Sequence, residues 1–224
     1  MKRILLLLAA VVLSANAFAQ LIANKTDKKV TVNLDVFNDF QFTDNTIWNP
    51  RLFSQGFSCA ATYNFPLGES KKHTVSLGVG YTGHNYFSYS RIMNPYTKDT
   101  LQFVQYEKDD ENFKRNKLNC NYIDVPIELR FRIKDAWKIG VGFKFGILVN
   151  AKTKFVGING EGIKVHEKLS YIPNVERYSY AATLRVGYKW VSLYAAYQLV
   201  PVFEVGHNAP RLVPLSVGLT FAPF

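Results

Sequence analysis

From residue 30 onward, apolar and polar positions alternate along the chain with a period of two. The cleanest run is 137–150, where Trp137, Ile139, Val141, Phe143, Phe145, Ile147 and Val149 are apolar while Lys138, Gly140, Gly142, Lys144, Gly146, Leu148 and Asn150 are mostly small or polar. Successive side chains point to opposite faces of a strand, so the run predicts a strand with one greasy face. Ile123, Val125, Ile127, Leu129, Phe131 and Ile133 repeat the pattern against Tyr122, Asp124, Glu128, Arg130 and Arg132, and Val213, Leu215, Val217, Leu219 and Phe221 repeat it against Ser216, Gly218 and Thr220. Weaker versions at 30–42, 53–65, 74–89, 178–188 and 191–199 bring the strands to eight, and no helical period of comparable strength follows residue 20.

The joins between these segments, at 43–52, 66–73, 90–117, 134–136, 151–177, 189–190 and 200–212, mostly alternate between long and short. An all-β, eight-stranded antiparallel up-and-down transmembrane barrel has this layout, with tight turns at one end and large loops at the other. The strands are also long enough, since a tilted strand crosses the hydrocarbon in roughly 9 to 11 residues. A soluble barrel would turn its apolar face inward, and the glycines discriminate. Gly78, Gly80, Gly140, Gly142, Gly146, Gly187 and Gly218 all sit on the polar face, and an eight-stranded interior has room for little more than side chains. The polar face is therefore expected inside and the apolar face against lipid. Aromatics at the strand ends fit two interfacial girdles: Trp137, Trp190, Tyr188 and Phe65 by the short turns, and Phe40, Phe42, Phe53, Tyr86, Phe87 and Tyr89 by the long loops.

Composition narrows the picture further. The 224 residues suit one domain, two Cys cannot frame a disulfide-rich miniprotein, and 20% charged residues with 17 Phe and 13 Tyr argue against disorder. Lys2 and Arg3, the apolar run from Ile4 to Leu13, and Ala17-Phe18-Ala19 before Gln20 read as a cleavable signal peptide over 1–19, leaving the barrel at 20–224. The full chain's net charge of +10, which becomes 10 − 2 = +8 when Lys2 and Arg3 leave with the leader, then has little nucleic acid to meet after export. Its expected partners are the anionic groups of outer-membrane lipid and lipopolysaccharide.

The leader, the eight alternating segments, the stretch Tyr122-Ile123-Asp124-Val125-Pro126-Ile127-Glu128-Leu129 and the final Leu215-Ser216-Val217-Gly218-Leu219-Thr220-Phe221 together resemble the PorT-like outer-membrane β-barrel proteins, similar in architecture to OmpA/OmpX-type barrels. The resemblance implies residence in the bacterial outer membrane and a secretion-accessory role. It also implies assembly by the barrel-assembly machinery through a terminal aromatic, with Phe221 in register and Phe224 on the opposite parity as the two candidates. Pro126 removes a ladder donor inside a strand, so a bulge is expected there.

The polar face carries Asp35, Asp39, Glu128, Arg130, Arg132, Lys144 and Arg185, and charges in a narrow lumen need partners. They are expected to form a salt-bridge network, either plugging the barrel or lining a small path. Catalysis finds little support. His84 and Ser88 share a face, but four residues of strand separate them by about 13 Å, and the sequence places no carboxylate beside them. No enzyme activity, cofactor or metal is expected. The acidic Asp109-Asp110-Glu111 reads as a solvated mixed-charge loop with Lys108, Lys114 and Arg115 rather than a Ca²⁺ site. Cys59 and Cys120 fall on opposite faces of non-adjacent strands, so no disulfide is expected. The 90–117 join contains Leu101, Phe103 and Val104, enough β-propensity for a hairpin protruding beyond the membrane. The expected function is a non-enzymatic scaffold, secretion accessory or surface interaction protein whose long external loops meet a protein partner. The alternatives are a small porin-like channel and a soluble barrel binding an apolar ligand.

Overall fold

A computed structural model describes residues 29–44, 46–69, 72–94, 96, 100–108, 110, 113–133, 137–158, 163–206 and 208–222. The signal-peptide residues lie outside these. All regular structure among the described residues is β: β1 (Val30–Thr43), β2 (Gln55–Leu67), β3 (His73–Ser88), β4 (Ser90–Ile92), β5 (Phe103–Gln105), β6 (Phe113–Ile133), β7 (Trp137–Ile158), β8 (Lys164–Ser170), β9 (Tyr178–Tyr188), β10 (Val191–Gln198) and β11 (Leu212–Phe221).

Eight of these form the wall. β1, β2, β3, β6, β7, β9, β10 and β11 pair antiparallel in chain order, and β11 returns to β1, so the sheet closes and no wall strand is left with a free edge through the membrane. Val30, Phe221 and the short joins share one end, which is the periplasmic end of such a barrel, and all four long connections lie at the other.

Sidedness follows the alternation. Val36, Phe40, Tyr63, Leu77, Val79, Ile123, Val141, Phe143 and Leu193 are exposed on the outer face, whereas Asp35, Ser58, Thr82, Asp124, Glu128, Lys144 and Ser216 are buried inside. The soluble-barrel alternative is thereby overturned, because its ligand cavity would need the greasy face inward. Glycine makes the packing of long charged side chains feasible. A Cβ on Gly140 would stand 2.7 Å from Glu128 Oε1, and one on Gly146 would stand 2.5 Å from Asp124 Oδ1.

The expected bulge at Pro126 does not occur there. Pro126 stays in register with Lys144 on β7, and on its other side the ladder to β3 lapses between Leu77↔Ile127 and Gly80↔Asp124 without a shift. A missing donor thus interrupts one ladder locally while the wall keeps its count. The register does shift higher up, between Asn121 and Tyr122, where Val149 is the extra residue on β7.

Above that bulge the faces exchange character. Leu118, Cys120, Tyr122, Ala151 and Phe155 point inward and are buried, while Lys117, Asn119, Asn121, Lys152 and Lys154 face out. Below the bulge the outside is lipid and the inside polar; above it the outside is aqueous and the inside is greasy. This inversion carries β6 and β7 well past the expected ends of the fourth and fifth strands, and β8 adds to β7 where β9 leaves it. The 90–117 join accordingly does not form a free hairpin. Its β4–β5 pair folds back over the barrel mouth, with Ile92 and Leu101 buried.

Candidate functional site

Two linked features stand out: a charged network filling the lumen, and an apolar cap closing its external end. The network starts near the periplasmic end at Arg130, whose Nε donates to Glu128 Oε1 at 2.5 Å and whose Nη1 donates to Asn64 Oδ1 at 3.0 Å. The other Glu128 oxygen accepts from Arg185 Nη1. Arg185 spans the lumen, donating through Nη2 to Asp35 Oδ2 at 3.0 Å and through Nε to Thr220 Oγ1 at 3.0 Å, and its guanidinium lies 4.8 Å from the Tyr194 ring centroid. Thr220 in turn donates to Asp35 Oδ1 at 2.6 Å.

A second group lies above the first. Lys144 Nζ is 3.6 Å from Asp124 Oδ2 and donates to Thr82 Oγ1 at 3.1 Å, and Thr82 bonds Asp124. Higher still, His84 Nδ1 sits 2.8 Å from Asp39 Oδ2, and Ser216 Oγ donates to Asp39 Oδ1 at 2.6 Å. Four carboxylates thus face two arginines, one lysine and one histidine. Charges taken out of water are tolerated only with such pairing, and Phe37, Tyr194 and His84 fill the remaining space with ring contacts of 5.3 to 5.8 Å.

Asp35, Asp39, Glu128, Arg130, Lys144 and Arg185 are therefore brought together in one lumen. Arg132 is not. It is exposed at the periplasmic end of β6, with the lumen residues behind it. Asp124 also belongs to the network, through Lys144, and its charge and its parity with Glu128 on the polar face were the signal that could have found it. His84 has the carboxylate that sequence reading could not supply, Asp39, because β1 and β3 flank β2 and their inward side chains meet over it. Ser88 does not join them; its hydroxyl donates to Ser90 O at 2.9 Å and accepts from Asn116 Nδ2 at 3.1 Å.

The cap draws one or more residues from every long connection: Trp48, Ile92 and Leu101, Ile172 and Val175, and Val202 and Phe203. They form one buried cluster with Tyr86, Leu118, Cys120, Tyr122, Ala151 and Leu212 from the upper wall. Trp48 packs edge-on against Phe203 at 5.6 Å and Phe103 at 6.2 Å, while its Nε1 donates to Gln41 Oε1 at 2.9 Å. Backbone bonds stitch the loops together, Arg51 N to Phe87 O at 2.9 Å, Glu176 N to Val202 O at 2.9 Å and Glu204 N to Asn174 O at 3.1 Å. Arg91 fastens the β4–β5 hairpin by lying 4.1 Å over the Phe155 ring and donating to Glu167 Oε2 at 2.6 Å.

The aromatic positions divide accordingly. Trp137, Trp190 and Phe65 are exposed around the periplasmic rim, with Trp137 against Tyr188 at 5.4 Å and Trp190 against Phe221 at 6.2 Å. At the external end Tyr86 departs from its expected place in the girdle: it is fully buried, stacked on His84 at 5.4 Å, because its parity turns it into the cap core. Phe87 and Tyr89 are half-buried, under Lys117 and Arg51 respectively. Phe221 ends β11 half-buried, and Phe224 lies outside the described residues. Of the acidic triplet only Asp110 is described. Cys59 and Cys120 are free thiols.

A family model described as an outer membrane protein beta-barrel domain matches residues 18–201. Among solved structures, the attachment invasion locus protein Ail of Yersinia pestis aligns at 13% identity, covering 86% of this chain and 97% of that one with a TM-score of 0.40. The outer membrane protease OmpT from Escherichia coli aligns at 7% identity, covering 87% and 93% with a TM-score of 0.40. No curated protein sequence matches the chain. With its closed eight-stranded wall, greasy outer face and a family match over most of its length, the chain belongs to the outer-membrane β-barrel domain family and resides in the bacterial outer membrane.

Proposed function

We propose that this protein is a non-enzymatic, non-conducting barrel that holds a preassembled external cap as a platform for a protein partner, with the secretion-accessory role that its PorT-like sequence features imply. The observation that carries this reading is the shared core of the cap. Four connections that touch one another through Trp48, Leu101, Val175 and Phe203 present a fixed outer surface, and a fixed surface binds without first losing the ordering entropy that free loops would lose. The filled lumen supports the same reading, since an ion path would require the Asp35–Arg185–Glu128 pairing to open. Assembly by the barrel-assembly machinery through Phe221 or Phe224 belongs to this proposal.

Planar-bilayer recording tests it. The reconstituted parent is expected to show no steady conductance. Trp48→Ala, which removes the centre of the cap at a cost of about 3 to 5 kcal/mol, is expected to make the loops protease-sensitive and to abolish the secretion phenotype while the barrel keeps its heat-modifiable migration. Reproducible conductance in the parent, with altered ion selectivity in Arg130→Ala, would establish the channel reading instead.

A further inference from the structure

Where β6, β7 and β8 rise above the lipid-facing band, their outward face is a block of positive charge. Lys117, Lys154 and Lys168 stand directly opposite one another on the three adjacent strands. Arg115 on β6, Lys152 on β7 and Lys164 on β8 share that face. None of the six makes an ion pair with a described carboxylate; the acid of β8, Glu167, points the other way to Arg91. Lys117 has only neutral contacts, donating to Asn85 Oδ1 at 2.6 Å above the Phe87 ring. Partial burial, and then the charges of Arg115 and Lys154, hold the Lys117 ammonium below the usual lysine pKa.

Like charges placed directly opposite one another on adjacent strands destabilise a sheet. Lysines do protect free strand edges, which accounts for Lys168 on the outermost strand. Edge protection does not account for Lys117 and Lys154, whose strands are paired on both sides. The height of the block supplies the missing counter-charge. On β7 the last lipid-facing apolar residue is Val149, and Lys152 and Lys154 follow within about 10 to 17 Å of tilted strand at roughly 3.3 Å per residue, which is the level of the headgroups of the outer leaflet. We infer that the outward face of β6, β7 and β8 is a binding site for the phosphate groups of lipopolysaccharide, with Lys117, Lys154 and Lys168 as its central row. The inference rests on the outer-membrane location and stands whether or not the cap binds a protein.

The test uses the refolded full-length barrel in detergent with two probes, lipopolysaccharide carrying its lipid A phosphates and the same material after enzymatic dephosphorylation. The parent is expected to prefer the phosphorylated probe by at least about tenfold, and K117Q/K154Q/K168Q to weaken its binding by about a hundredfold with unchanged heat-modifiability. Equal affinity for the two probes, or unchanged binding in the triple variant, would overturn the site. Tighter binding of dextran sulfate than of phosphorylated lipopolysaccharide by the parent would also overturn it, pointing to a soluble polyanion. If the triple variant does not fold, K154Q against K154R gives the same decision: weaker binding in the first and parental binding in the second supports the site, and equal behaviour of the two refutes it.

Discussion

Arg185 is the residue on which the lumen depends most. It bonds two carboxylates on opposite walls, Glu128 and Asp35, and its removal leaves Asp35 buried without its cation and Glu128 with Arg130 alone. Breaking a buried pair in this way costs about 3 to 5 kcal/mol, so Arg185→Ala is expected to lower the urea midpoint of the lipid-reconstituted barrel strongly. Arg132→Ala, at an exposed position on the same polar face, should stay within about 0.5 kcal/mol. Equal effects of the two substitutions would show that the lumen is wet and the charges screened. Arg185 was legible as an interior charge from parity alone. Its partners were not, because alternation fixes the face a residue occupies and leaves open which residue it meets across the lumen; the same gap hid the Asp39–His84 pair.

At the scale of the strand, period two was a sound guide only as long as the solvent on each side stayed the same. Phe143 lies in the stretch where it did, facing outward between Val141 and Phe145. Phe143→Arg is expected to cost about 2 to 4 kcal/mol in folding titrations into lipid vesicles if it sits near the midplane, and folding as efficient as the parent's would mean that the faces are reversed. Higher up, the apolar residues change sides. Leu118, Cys120 and Tyr122 break the lower rule by being greasy and inward, and the extra residue at Val149 shifts the parity of β7 as well. The alternation in the sequence therefore runs out at 150, gives 151–177 the look of a loop and assigns Tyr86 to the aromatic girdle. Pro126 misled in the opposite direction, since a missing donor could be absorbed by one lapsed ladder step without a bulge.

For the whole molecule, the wall and the cap are two structures with different kinds of contact. Wall strands pair with neighbours in the chain, apart from the closing β1–β11 seam. The cap instead joins residues from the first long connection to the last, as Trp48 against Phe203 shows, and contacts between distant parts of a chain form late because loop closure opposes them. The core of the cap contains a chemical timer. Cys120 is fully buried there, and a thiol without access does not react. In a Cys59→Ser background, a pulse of maleimide during refolding should label Cys120 while the wall is already heat-modifiable, and the labelling should cease only once Trp48 has settled on Phe203. Protection of Cys120 at the same moment as wall closure would mean that barrel and cap form in one step. If the two events separate, every newly inserted copy passes through an open-mouthed stage, in which its charged interior briefly meets the outside of the cell.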